Sequence, residues 1–144
     1  MEEFNTLEKV IALFKSVDGY GANNTIFVAY TDINRGGGGM NYPFDGLLIN
    51  QTEKGIGMFF LQQSGMVLTQ NIAKMSLDKE HYIFIPKQDI KRITIKNYAI
   101  LNPKIKRISI EVNDGRSYKL FAKLNEKNIS YQTENFSRFI NSQE

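Results

Sequence analysis

IKRITIKNYAILNPKIKRISIEVNDGRSYKLFAK, residues 90–123, carries the reading of the fold. In Ile90–Lys96, Ile93 and Ile95 fall on one side, and Arg92, Thr94 and Lys96 on the other. The same two-residue period returns in Ile105–Val112, where Ile108, Ile110 and Val112 oppose Arg107, Ser109 and Glu111. Arg116–Lys123 then puts Tyr118, Leu120 and Ala122 on one face. A period of two belongs to a half-buried strand, because successive side chains leave a pleated backbone on opposite sides. Parity selects the turn between the last two strands. A two-residue Asp114-Gly115 turn sets Glu111 against Tyr118 and puts a carboxylate among the apolar residues. A three-residue Asn113-Asp114-Gly115 turn sets Ile110 against Tyr118 and Ile108 against Leu120. It keeps one face apolar, and it asks Gly115 to take the left-handed bulge position.

Upstream, the first eighteen residues have a helical period instead. Phe4, Leu7, Val10, Ile11 and Phe14 form one stripe, Asn5 and Glu8 have the spacing of a capping pair, and Asp18-Gly19 supplies a stop. Thr25–Thr31 is β-branched and aromatic and reads as a strand. Phe44–Gln51 and Gly55–Gln62 read as two strands joined around Thr52-Glu53-Lys54. Gly65–Thr69 is a short strand or a turn, Asn71–Glu80 a loop with one helical turn, and Tyr82–Ile85 a short strand ended by Pro86. A closing helix over about Ile129–Asn141 carries Ile129, Phe136, Phe139 and Ile140, with Asn128 or Ser130 as its cap. The order is helix, about seven short strands, helix: a mainly β single domain over residues 1–144.

Composition removes much of the enzyme repertoire. The chain of 144 residues has no Cys and one His, which excludes thiol nucleophiles, thiolate metal sites and any mechanism needing two histidines in one chain. No stretch reaches the roughly 18 apolar residues of a membrane-spanning helix. The start, MEEFNTLEKV, is acidic where a signal peptide is basic, so a cytoplasmic protein is expected. The net charge of +3 conceals an asymmetry. Residues 1–85 carry six Lys/Arg against nine Asp/Glu, whereas residues 86–127 carry eleven against four.

Several passages resemble bacterial pleckstrin-homology-like domains. Ile85-Pro86, Asp89-Ile90 and Ile93-Thr94-Ile95 are similar to their IP-x-x-DI-x-x-I passage. Ile108–Tyr118 looks like the hairpin that follows, Phe136–Ile140 like the closing helix, and Asp45–Thr52 with Gly55-Ile56 like an earlier hairpin. The likeness covers about residues 25–141, and the N-terminal helix over 1–18 lies outside it. It implies a barrel, or strongly bent sheet, of seven antiparallel strands plugged at one end by the C-terminal helix. It does not imply one function, since lipid binders, peptide binders and oligomerising modules share this superfold. Membrane-binding members usually carry several basic residues around the first strand pair. Residues 16–53 here contain only Arg35, which counts against inositol-phosphate recognition of the usual kind.

The candidate sites follow from these placements. Gly36–Gly39 lacks the Gly-Lys-Ser/Thr ending of a phosphate loop and reads as a hairpin tip. His81 is expected to be an ordinary half-buried or exposed side chain, because its neighbour Glu80 points to the opposite face. No carboxylate pair stands out, so no catalytic residue, metal site or cofactor is assigned. Arg92, Lys96, Arg107, Lys119 and Lys123 project from one side of three neighbouring strands, with Phe121 opposite Arg107 and Lys119 diagonal to Glu111. That side is either a solvated face or a surface for an anionic membrane or an acidic partner. Nucleic acid is disfavoured, since the stacking aromatics of an RNA-binding sheet are missing. Tyr98, Ile100 and Leu101 form an apolar run that either enters the core or makes an interface. The expectation is a non-enzymatic interaction module that binds a protein partner or self-associates, with anionic lipid binding as the alternative.

Overall fold

The computed structural model describes residues 3–31, 46–62, 72–99 and 101–143. Helix α1 (Leu7–Lys15) precedes strands β1 (Asn24–Thr31), β2 (Gly46–Thr52), β3 (Gly55–Gln62), β4 (Ser76–Pro86), β5 (Ile90–Ala99), β6 (Asn102–Val112) and β7 (Ser117–Lys123), and helix α2 (Gln132–Ser142) closes the chain. The strands form one antiparallel sheet in the order β4-β3-β2-β1-β7-β6-β5, so β4 and β5 are its two ends among the described residues. The expected loop at Gly36–Gly39 and the expected element at Gly65–Thr69 lie outside the described residues.

The register between β6 and β7 follows the parity argument. Ile110 pairs with Tyr118 and Ile108 with Leu120, and Gly115 has a φ of 97°. The β2–β3 turn is tight as well, with Thr52 opposite Gly55. Gly55 has a φ of 148°, and a Cβ there would lie 2.1 Å from the Ile85 carbonyl oxygen.

The sheet has two differently covered halves. Strands β1–β3 are buried on both faces. On one face Phe27, Leu47 and Met58 pack with Ile108 and Leu120 around Phe136 and Phe139 of α2. On the other, Val28, Leu48 and Phe59 pack under Val10 and Phe14 of α1, with the Phe14 and Phe59 rings 5.3 Å apart. Each fully buried ring of this kind contributes up to about 3 kcal/mol of transfer free energy. Phe4, Val10 and Phe14 of the N-terminal apolar stripe are therefore buried within their own chain. Strands β6 and β7 bury only alternate residues.

Several boundaries differ from expectation for physical reasons. Thr6, not Asn5, caps α1: its hydroxyl accepts from the Lys9 amide at 3.4 Å, while Asn5 accepts from the Lys9 ammonium. Phe4 is buried ahead of the helix, and Leu7 is 41% exposed. Strand β4 begins at Ser76, well before Tyr82. The polar run Asp78–His81 hides it, because Lys79–His81 bulges out of the pairing: Phe59 faces Tyr82 while Phe60 faces Asp78. Helix α2 starts at Gln132, and neither Asn128 nor Ser130 caps it. Asn128 has a φ of 66°, and the Ser130 backbone amide donates to the Asn5 carbonyl. The Tyr131 hydroxyl donates to the Phe4 carbonyl at 2.5 Å, tying this turn to the N-terminal segment.

Helix α2 also seals a gap in the sheet. Among the described residues, strands β1 and β7 pair only at Tyr30–Phe121 and Thr31–Leu120. Below that point β1 leaves β7, and its backbone groups need other partners. The buried Gln132 side chain supplies them, accepting from the Val28 amide at 2.9 Å and donating to the Val28 and Lys123 carbonyls at 3.0 and 2.8 Å. The Asn135 amide donates to the Ile26 carbonyl at 2.9 Å.

Candidate functional site

The outer face of β5–β7 brings the five predicted cations onto one surface. Directly opposed pairs are Arg92–Glu111 and Lys96–Arg107 between β5 and β6, and Arg107–Phe121 and Ser109–Lys119 between β6 and β7. The charges are not all at liberty. Arg92 lies 3.7 Å from Glu111, and the Lys119 ammonium donates to the Ser109 hydroxyl at 2.9 Å. The expected diagonal contact of Lys119 with Glu111 gives way to these pairs, because directly opposed side chains stand nearer than diagonal ones.

An aromatic row crosses the same face. The Tyr30, Phe121 and Tyr98 rings follow at centroid distances of 4.9 and 5.0 Å. Arg107 sits 5.5 Å from the Tyr98 ring centre and donates to the Tyr98 carbonyl, and Lys123 sits 5.1 Å from that of Tyr30. Such contacts hold cations in place at about 0.5–1 kcal/mol each when exposed. The Tyr30 hydroxyl donates to Glu126 at 3.1 Å, and burial pushes the Glu126 carboxyl above its ordinary range.

The residues of the apolar run before Asn102 differ in exposure. Tyr98 is half-buried beneath Phe121 and Arg107. Leu101 is 94% exposed beyond the Ala99–Asn102 pair that ends the β5–β6 ladder, and Ile100 lies outside the described residues. His81 does have a carboxylate partner, Asp78 rather than Glu80, with Nδ1 2.6 Å from Oδ2 on the exposed bulge. Among the described residues no group of three or more His, Asp or Glu is arranged to hold a metal ion. No helix among them is long and apolar enough to cross a membrane.

The feature that sequence reasoning missed is a groove along β5. At its lower end a cleft of about 560 Å³ opens between Ile90–Ile93, the β2–β3 turn and the end of α2. A second, of about 440 Å³, runs past Ile95, Lys96 and Asn97. Ile93 and Gln143 line both, so the two clefts adjoin along β5. Ile90, Ile93, Ile95 and Ile140 are only partly buried against the core and give the groove its apolar floor. The rim is cationic. Lys91 is the extra residue of a bulge, since Ile90 faces Val112 while Arg92 faces Glu111, and the bulge brings Lys91 and Arg92 together into the lower cleft. Lys106 reaches across the upper end and donates to Asn97 at 2.6 Å. Glu53, the one acidic residue among the described residues of either lining, is already engaged. Its carboxylate accepts from the Ala22 and Asn23 amides at 2.8 and 3.0 Å, which hold its pKa down to about 2.

Comparison of the chain with protein-family models, with curated proteins and with solved structures returns no match. The functional reading therefore rests on the groove, the basic face and their chemistry.

Proposed function

We propose that the chain is a non-catalytic interaction module on a pleckstrin-homology-like sheet, working in the cytoplasm, which holds a protein partner as an added strand along β5. The number of strands, their order and the helix laid over one face support the pleckstrin-homology-like reading. The observation that carries the function is the groove beside a terminal strand. A strand at the end of a sheet directs alternate N–H and C=O groups outward, and an extended segment can pair with them. Here that edge is flanked by an apolar floor able to take every second side chain of such a segment.

Selection of binders from a random peptide library tests this, with each binder mapped by backbone amide shifts. Binders that perturb Ile90–Asn97 are the expected result. Binders that map only to the Lys119–Lys123 face, or an exhaustive selection that yields none, would overturn it.

A second reading is peripheral binding of anionic lipid headgroups. The five cations on one side of β5–β7 favour it, although Arg92, Arg107, Lys119 and Lys123 already have partners within the chain. It requires salt-sensitive sedimentation with phosphatidylserine vesicles that is lost on reversing Arg92, Arg107 and Lys119.

A further inference from the structure

We infer that the segment accepted along β5 is acidic, with carboxylates alternating with apolar side chains, and that it comes from a different protein and not from a second copy of this chain. This rests on the strand-addition reading above.

The first argument is charge. Lys91, Arg92, Lys96 and Lys106 line the groove, and Lys87 stands at its lower end. Arg92 is shared with Glu111 at 3.7 Å, and Lys106 is bonded to Asn97. Lys91 and Lys96 are exposed on the edge strand. Glu53 does not neutralise them, because two backbone amides already hold its carboxylate. An extended segment laid here meets several positive charges and, among the described residues of the lining, no opposing free carboxylate.

Periodicity gives the second argument. Ile93 and Ile95 belong to the floor beside Ile140, while Arg92 and Lys96 belong to the opposite side of β5. A segment paired with β5 repeats that two-residue alternation, so one set of its side chains meets isoleucines and the other meets cations. Valine or isoleucine alternating with glutamate or aspartate satisfies both.

The same charges decide against self-pairing. Two copies joined edge to edge through β5 would bring Lys91, Arg92 and Lys96 of each chain against those of the other, with no acidic residue in either β5 to offset them. Like charges facing each other across a ladder are destabilising, and cationic edge strands are a recurrent means of preventing such pairing.

The test uses three capped octapeptides of one alternation, Ac-(Val-Glu)4-NH2, Ac-(Val-Gln)4-NH2 and Ac-(Val-Lys)4-NH2, titrated calorimetrically into the full chain with binding mapped by amide shifts. The acidic peptide should bind at Ile90–Asn97 at least tenfold more tightly than the glutamine peptide, with the ratio shrinking as salt rises. In the Lys91→Glu/Lys96→Glu variant the preference should reverse toward the lysine peptide. Both substitutions are of exposed side chains, and an unchanged urea midpoint verifies that the variant folds. Equal binding of the acidic and glutamine peptides at β5 would overturn the acidic inference while leaving strand addition intact. Absence of any β5 perturbation by all three would overturn both. A concentration-dependent dimer mapped to β5 would overturn the choice of a foreign partner.

Discussion

Strands β1 and β5 both have backbone that the neighbouring ladder leaves unpaired, and the chain treats them in opposite ways. Where β1 leaves β7, Gln132 and Asn135 of α2 satisfy the Val28 and Ile26 backbone, and both faces of β1 are buried. Strand β5 ends the sheet, stays half-exposed, and is bordered by lysines and a groove. An edge filled from within the same chain has become core. One guarded only by charge excludes a like-charged strand yet still admits an oppositely charged one.

Core truncation gives the largest expected separation of the two. The Phe27 ring packs 5.1 Å from that of Phe136 and 4.6 Å from that of Phe139, so Phe27→Ala should cost about 3–5 kcal/mol in urea denaturation. Ile95→Ala, on the half-exposed strand, should cost roughly 1–2 kcal/mol, since part of the side chain already meets water. Equal losses would mean that β5 is as deeply built into the core as β1.

The seal on β1 is the next target. Gln132→Ala strands the Val28 amide and carbonyl in an apolar interior and should cost about 3 kcal/mol. Gln132→Glu should not rescue it, because a carboxylate cannot donate to the Val28 and Lys123 carbonyls. A neutral outcome for either would show that β1 finds other partners. On the outer face, Lys119→Ala should change stability by less than about 0.5 kcal/mol, since it removes one half-exposed bond to Ser109.

A smaller effect concerns Glu53, which joins the β2–β3 turn to the chain entering β1 and forms one wall of the lower cleft. Two backbone amides hold its carboxyl near a pKa of about 2, below its ordinary value. The ionised form is thus favoured by folding. Its contribution is complete above the unfolded value of roughly 4.3 and is lost as the pH falls toward 2. Glu53→Gln should therefore flatten the decline of the urea midpoint between pH 5 and about 2.5. An unaltered decline would show that the acid sensitivity comes from other carboxylates.

The same contrast explains what could be read in advance. The β6–β7 hairpin was legible because strict alternation and one glycine fix its register through parity. Strand β4 is longer than its apolar pattern because the Lys79–His81 bulge interrupts the alternation. The five cations of the outer face were legible from alternation alone, but their partners were not. Cross-strand geometry, not sequence distance, gives Glu111 to Arg92 and Ser109 to Lys119. The seal on β1 left one overlooked signal. Gln132 shares a helical face with Phe136 and Phe139, and a polar residue inside an apolar stripe calls for a buried partner. The groove gave no local signal, since it exists only where the end of α2 meets a strand far away in sequence.

The most direct measurement is residue-resolved amide hydrogen exchange, with and without saturating Ac-(Val-Glu)4-NH2. The Val28 amide should exchange slowly in both states, while alternate amides within Ile90–Asn97 exchange rapidly in the free protein and slow when the peptide is added. Alternate β5 amides as protected as Val28 in the free protein, or unaffected by the peptide, would contradict the account.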